Sequence, residues 1–385
     1  MSDRQAGYLP SLTAMRGIAA TWVMLFHIDV SLFYRNLGPL VPHEVTGLIT
    51  GGYMWVDFFF VLSGFVITHV YAGHFETGLG LPAVRAYLKA RFLRIYPLHL
   101  FTLLLLILFW QGLEAFQPHL MDDSMRTYFS PAALPSNFLL TNAMDQYVFL
   151  SWNIVSWSIG AEWWTYFVGM LMLVLIGRGR AAAALVIMGF AGVCLLSLVH
   201  PEGKLDITFN YGFFRCLFEF SMGVGLYRFY RQGVWQSWLK TDGVVFIVLA
   251  LIALALHYDW SDLTLPPLFA LLVIAGASNR ANFSRIMETA LPRYLGKISY
   301  SVYLMHGVWF MVFWAYLPQL KQVFGFDALP LQYRTVYLVA FVAVSVVSAT
   351  LTYRYVEVPG RTLFRRQAAI ARPQPVVATA DVPEK

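Results

Sequence analysis

Residues 12–33, LTAMRGIAATWVMLFHIDVSLF, are long and apolar enough to span a bilayer, yet they carry Arg16 near the start and His27 near the end. Eleven residues separate the two, about three turns of an α-helix, so both side chains leave one helix face roughly 16 Å apart along the axis. A fixed cation at one depth and a titratable base at another suit a thin, extended ligand lying between them. The competing reading is that Arg16 snorkels to the interface and His27 satisfies a helix contact. A second set of cations stands in RAYLKARFLRIYP, where Arg91 and Arg94 are three apart on one helical turn and can together grip a polyphosphate. Such a cluster also marks the cytoplasmic side of a membrane protein, and composition does not choose between these roles.

The elements that must position these residues are membrane helices. With 58% hydrophobic residues, 12% charged residues and a mean hydropathy of +0.61, the chain is too apolar for a soluble globular protein. Ten apolar runs are expected to span, at 12–33, 52–71, 96–112, 154–176, 181–199, 208–227, 243–256, 265–277, 298–317 and 333–353. Lys and Arg concentrate in alternate connections: Arg85, Lys89, Arg91 and Arg94; Arg178 and Arg180; Arg228, Arg231 and Lys240; Arg280, Arg285, Arg293 and Lys297; then Arg361, Arg365 and Arg366. The intervening loops hold only scattered cations such as Arg35, Arg126, Lys204 and Lys321. The positive-inside rule therefore predicts an all-α polytopic protein with both termini cytoplasmic. One membrane domain is expected over 1–366, with a disordered cytoplasmic tail over 367–385.

The net charge of +6 is spread along this topology, which makes nucleic acid an unsuitable partner. The two cysteines, Cys194 and Cys216, lie in separate apolar runs, so neither a disulfide framework nor a metal site is expected. The start lacks an Ala-x-Ala cleavage site, and the first run is read as a retained span. The longest outer connection, 114–152, is expected to form a partly ordered cap over the outer mouth.

With orientation fixed, depth follows. His27 and Asp57 each fall about five or six residues from the outer ends of their spans, ~8 to 9 Å below the surface, and antiparallel neighbours would bring them together. A carboxylate on one imidazole nitrogen fixes the tautomer and raises the basicity of the other, as a general base requires. Glu162 and Arg215 enter their spans at similar depth, giving an outer-leaflet layer of ionisable groups; a mutually neutralising structural network is the alternative. Ser63, Tyr300 or a helix-end amide could donate to an oxyanion. Trp152, Trp163 and Trp164 are placed near the outer mouth, as interfacial anchors or sugar-stacking rings. His69, His74 and His99 read as interfacial or solvated.

Six segments in order carry a resemblance: Arg16-x10-His27, VDFFFVLSGF (56–65), RFLRIYP (91–97), WSIGAE (157–162), ISYSVYLMH (298–306) and VEVP (356–359). Together they resemble acyltransferase family 3, bacterial integral-membrane O-acyltransferases that modify surface polysaccharides, lipid-linked glycans and some secondary metabolites. The resemblance implies about ten transmembrane helices in the bacterial inner membrane, a cytoplasmic acyl-CoA donor (acetyl-CoA by family habit) and an acceptor hydroxyl of a carbohydrate or lipid-linked glycan at the outer side. It implies that Arg16 and His27 are the essential pair and that Arg91 and Arg94 bind the donor. Asp57, Ser63, Glu162, Tyr303, His306 and Glu357 also match motif positions. WSIGAE has Gly160 where the family commonly has serine, so no hydroxyl role is implied there. Some family members carry an extracytoplasmic hydrolase-like domain, without which transfer is completed alone or with a separate partner such as a polysaccharide-synthesis protein.

The resulting expectation is that His27, oriented by Asp57, deprotonates a sugar hydroxyl that attacks the thioester; an acyl-histidine intermediate is the second route. Two rival classes remain at this stage. In a proton-coupled transporter, Arg16, His27, Asp57 and Glu162 would line a substrate path, although no inverted repeat is evident. A non-catalytic acyl-CoA-binding subunit would keep Arg91 and Arg94 while making His27 dispensable.

Overall fold

A computed structural model describes residues 9–76, 78–177, 181–325 and 328–362. The expected tail at 367–385, and the cations Arg178, Arg180, Arg365 and Arg366, lie outside the described residues. The described residues contain helices and turns but no strand. A helix covers each expected apolar run: α1 (Pro10–Tyr34), α2 (Trp55–Tyr71), α3 (Leu81–Phe116), α4 (Ser156–Gly177), α5 (Ala182–Val199), α6 (Gly212–Gln232), α7 (Asp242–His257), α8 (Leu265–Ser278), α9 (Ala290–Phe324) and α10 (Leu331–Thr352).

Among the described residues, seven helices are long and apolar enough to cross a membrane: α1 to α5, α9 and α10. The other three fall short for visible reasons. Helix α6 carries Arg215, Glu219, Arg228 and Arg231, while α7 and α8 have 16 and 14 residues. Burial separates centre from rim: 78% of the apolar window of α9 is buried inside the protein, against 22% for α5, so α9 is central and α5 faces outward.

Two glycine crossings hold the bundle tight where the ionisable residues sit. Helices α1 and α9 touch through Gly17 and Gly296; a Cβ on Gly296 would lie 2.2 Å from the Thr13 carbonyl oxygen, and one on Gly17 2.4 Å from the Gly296 nitrogen. Helices α2 and α6 meet likewise through Gly64 and Gly223, whose added Cβ atoms would each lie 2.0 Å from a backbone oxygen of the other helix. Close backbone approach of this kind drives helix association where lipid offers no hydrophobic incentive.

Two expectations change. Helix α3 starts at Leu81, fifteen residues before its apolar run, because Leu, Ala, Arg and Lys are strong helix formers and Pro82 sits harmlessly in the first turn. Arg85, Lys89, Arg91 and Arg94 therefore belong to the helix rather than to a linker. The connection before α4 is also more than a cap, since it reaches into the bundle. The Asn137 carbonyl lies 2.8 Å from Nε2 of His99, midway along α3, and the Phe138 carbonyl accepts from Tyr96. Asn153 donates to Thr102 of α3 at 3.2 Å and to the Leu304 carbonyl of α9 at 3.1 Å. Irregular backbone at this depth is tolerated because protein surrounds it. His99, expected at the interface, is buried by this loop.

Candidate active site

Arg16 and His27 do share one uninterrupted helix, and both face α9. Arg16 donates through Nε to Ser299 Oγ at 3.1 Å and through a terminal nitrogen to the Gly296 carbonyl at 3.4 Å. His27 meets His306, two turns beyond Ser299, with Nδ1 to Nε2 at 3.3 Å and ring centroids 5.0 Å apart. Helices α1 and α9 thus run side by side in the same direction, with the arginine contact at one level and the imidazole contact at the next.

The hydrogen bonds of the two imidazoles fix their tautomers. A carbonyl oxygen can only accept, and Nδ1 of His27 lies 2.9 Å from the Val23 carbonyl while Nδ1 of His306 lies 3.1 Å from that of Val302. Each Nδ1 therefore carries the hydrogen. In His306 the lone pair on Nε2 faces the His27 Nδ1–H, which it shares with Val23. His27 Nε2 keeps its lone pair, has no hydrogen-bond partner among the described residues, and belongs to a half-buried side chain.

Asp57 does not orient His27. It takes a two-pronged ion pair from Arg215, Nε to Oδ1 at 2.9 Å and a terminal nitrogen to Oδ2 at 2.5 Å, with both side chains buried. Arg215 also donates to the Ile207 carbonyl at 3.1 Å. The expected outer layer thus resolves into a neutralising structural pair at the α2–α6 crossing. Sequence reasoning missed Glu219, one turn along α6 from Arg215, which is fully buried with neither oxygen accepting a hydrogen bond.

Glu162 leaves that layer as well. Because the loop carries the chain inward before α4 begins, Glu162 stands deep in the bundle on a cavity of about 130 Å³ shared with Arg16, Arg91, Arg94, Ser63 and Tyr303. Ser63 donates its hydroxyl hydrogen to Glu162, and Tyr300 donates its own to the Ile95 carbonyl at 2.7 Å. Neither hydroxyl is left for an oxyanion.

The cavity is short of negative charge. Arg94 is matched: Glu357, set by a π-helical turn at Tyr353–Glu357 after α10, accepts from Arg94 at 2.5 Å, from Ser301 at 2.5 Å and from Arg361. Arg91 and Arg16 are not matched. Arg91 donates to the Tyr71 hydroxyl at 3.1 Å, lies 5.2 Å from the centre of that ring, and buries its Nε without a partner among the described residues. Arg16 has a hydroxyl and a carbonyl for partners. Three guanidinium groups thus share this cavity with the one carboxylate of Glu162, and two of them hydrogen-bond neutral groups, an arrangement that can accept an anion.

Phe59 and Tyr303 line the His306 side of the cavity. Tyr303 is held at 2.7 Å by Ser158, and its ring edges His306 at 5.5 Å, so the cavity stops one ring short of the imidazole pair. The tryptophans offer no sugar platform: Trp152 is fully buried against Trp110 and Phe129, Trp163 packs on Phe92, and Trp164 stacks on Phe167. No cluster of three His, Cys, Asp or Glu residues among the described residues could hold a metal.

A sequence profile of an acyltransferase domain matches residues 9–353, nearly the whole chain. The chain belongs to acyltransferase family 3. It is 27% identical to "Acyltransferase MdmB" of Streptomyces mycarofaciens over 98% of this chain and 97% of that one. It is 35% identical to "Protein 2 in picA locus" of Rhizobium radiobacter, over 25% of this chain and 42% of that one. No solved structure matches. This acyltransferase is a membrane protein by its helices, and the cavity and imidazole pair are where its motif residues gather. Ser299 and Tyr71 were missed in the sequence because neither is ionisable at ordinary pH. Ser299 lies inside the ISYSVYLMH segment, which was the available signal.

Proposed function

We propose that the protein moves a short acyl group, acetyl in the first instance, from acyl-CoA at the cytoplasmic side to a hydroxyl of a surface or lipid-linked carbohydrate at the outer side of a bacterial inner membrane. The observation that carries the donor is the pair Arg16 and Arg91, two cations that make no ion pair in a cavity whose one carboxylate, Glu162, accepts from Ser63. A volume of about 130 Å³ is close to that of an engineered cavity of ~150 Å³ that takes up benzene, enough for a short acyl chain and its thioester. The orphaned Arg91 Nε suits a phosphate oxygen of the donor.

In this reading His27 Nε2 takes the proton of the acceptor hydroxyl as its oxygen attacks the thioester carbonyl. The C–S bond then breaks, and the thiolate leaves with the proton returned from His27. His306 and the Val23 carbonyl hold the Nδ1–H, doing what Asp57 was expected to do. Phe59 and Tyr303 stand between cavity and imidazoles, so their side chains swing aside when the thioester meets Nε2.

The test is transfer of label from acetyl-CoA to surface glycans in membranes bearing wild type or His27→Ala at matched expression. Loss of labelling in the variant alone is expected. Equal labelling would remove His27 as the base, and no labelling by wild type would overturn the donor or the acceptor.

A further inference from the structure

A second cavity, of about 380 Å³, opens at the ends of α2, α4 and α6, on the side where basic residues concentrate. Its polar lining is His69, His74, Glu76, Arg228 and Arg231, with Tyr227 beside them. Arg228 buries its Nε without a hydrogen-bond partner among the described residues. Arg231 donates to the Tyr227 hydroxyl at 3.3 Å, and no ion pair joins either arginine to Glu76. Helix α6 also ends here in a Gly233 cap, so its basic residues lie at the helix C-terminus and project from the bundle.

The position of this cavity relative to the first gives it meaning. Val66 and Ile67 of α2 line the first cavity, while His69, Val70, Ala72 and His74 line the second. Tyr71 stands between them: its hydroxyl accepts from Arg91, and its ring lies tilted against His74 with centroids 5.7 Å apart. The last turn of α2 is therefore one wall shared by two cation-bearing spaces, and a ligand bent over that turn would enter both.

We infer that the second cavity holds the adenosine bisphosphate end of the acyl-CoA donor, with Arg228 and Arg231 on its phosphates and the pantetheine arm passing Tyr71 and Arg91 into the first cavity. This rests on the acyl-CoA reading given above and adds to it the subsite for the nucleotide. Arg228, half-buried, and Arg231, exposed at the rim, supply charge-assisted hydrogen bonds to phosphate. The rings of His69, His74 and Tyr227 offer flat apolar surface for a base.

Arg228→Ala/Arg231→Ala is compared with wild type, both purified in detergent. Binding of adenosine 3′,5′-bisphosphate is measured by calorimetry, and KM is measured for acetyl-CoA and for S-acetyl-4′-phosphopantetheine, which lacks the nucleotide. The expected result is a tenfold or greater loss of bisphosphate affinity and a similar rise in KM for acetyl-CoA, with KM for the truncated donor unchanged. Unchanged bisphosphate affinity, or an equal KM rise for both donors, would overturn the subsite. Loss of co-purifying phosphatidylglycerol with unchanged bisphosphate binding would also overturn it, by giving the cavity to a lipid headgroup. Failure of the wild type to use either thioester would instead refute the acyl-CoA reading itself.

Discussion

Replacing Gly296 by alanine tests whether the α1–α9 crossing sets the site. The new Cβ would stand 2.2 Å from Thr13 O and 2.6 Å from Thr13 C, where ordinary contact begins near 3.4 Å. Both obstacles are backbone, so no side chain can rotate away, and the helices must part by about 1 Å. That displacement carries the Arg16 contacts, now 3.1 and 3.4 Å, beyond hydrogen-bond range. Overpacking of this kind costs ~1–3 kcal/mol. Losing the placement of one charged donor is worth ~1.5–3 kcal/mol, about tenfold or more in donor KM. Gly112 supplies the control: it lies within α3 with nothing inside 4 Å of an added Cβ. Gly112→Ala should raise stability by up to ~1 kcal/mol through helix propensity alone. Thermal melts of the purified variants and acyl-transfer kinetics measure both effects. A Gly296→Ala protein that melts and turns over like wild type would refute the claim that this contact positions Arg16.

Arg215→Met should destabilise by ~3–5 kcal/mol because it strands the buried Asp57, whereas adding Asp57→Leu should recover most of the loss and, with it, activity; a dead but stable double variant would restore Asp57 to the chemistry. Glu357→Gln should lower the melting temperature and raise donor KM, since it removes the charge that Arg94 and Arg361 share; unchanged kinetics would show that Arg94 needs no partner to face the cavity. In the loop, burial would raise the Asp122 carboxyl, but hydrogen bonds from Ser124, the Met125 N–H and Arg35 hold it below the usual aspartate range. Its stabilising share is present above the ordinary value and is lost as pH falls through the depressed one. Protection of the amides at 123–128, relative to their intrinsic exchange rate at each pH, should therefore fall below about pH 4, and protection that ignores pH would contradict this.

Helix position was readable in the sequence, and azimuth was not. Apolar length located all ten helices, and the spacing of Arg16 and His27 put them on one face, because both follow from helix geometry alone. The partners could not follow. Asp57, Arg215 and His27 lie at similar distances from the ends of their expected apolar runs, and the α2–α6 contact through Gly64 and Gly223 decides that Asp57 meets Arg215. His306 pairs with His27 because α9 is central, a fact of packing that hydropathy does not encode. Glu162 and Trp163 were misplaced for a different reason. Their depth was counted from a surface that the chain had already left, the loop having carried α4 inward before its first turn. Likewise, the charges in 85–94 hid the true start of α3 from any measure based on apolar runs.

The loop that reaches the middle of α3 also sets an order on how the molecule can be finished during synthesis. Asn153 bonds the carbonyl of Leu304, 151 residues later in the chain. At ~5–20 residues per second, translation needs about 8–30 s to supply that partner after Asn153 has emerged. Until then Asn153 has Thr102 to bond but not α9, and the floor beneath His306 is incomplete. Closure of this loop therefore waits for a helix made well after it, and Arg94 waits longer still for Glu357. An acyltransferase halted before α9 would lack Ser299 and Gly296, the partners of Arg16, together with His306, the partner of His27.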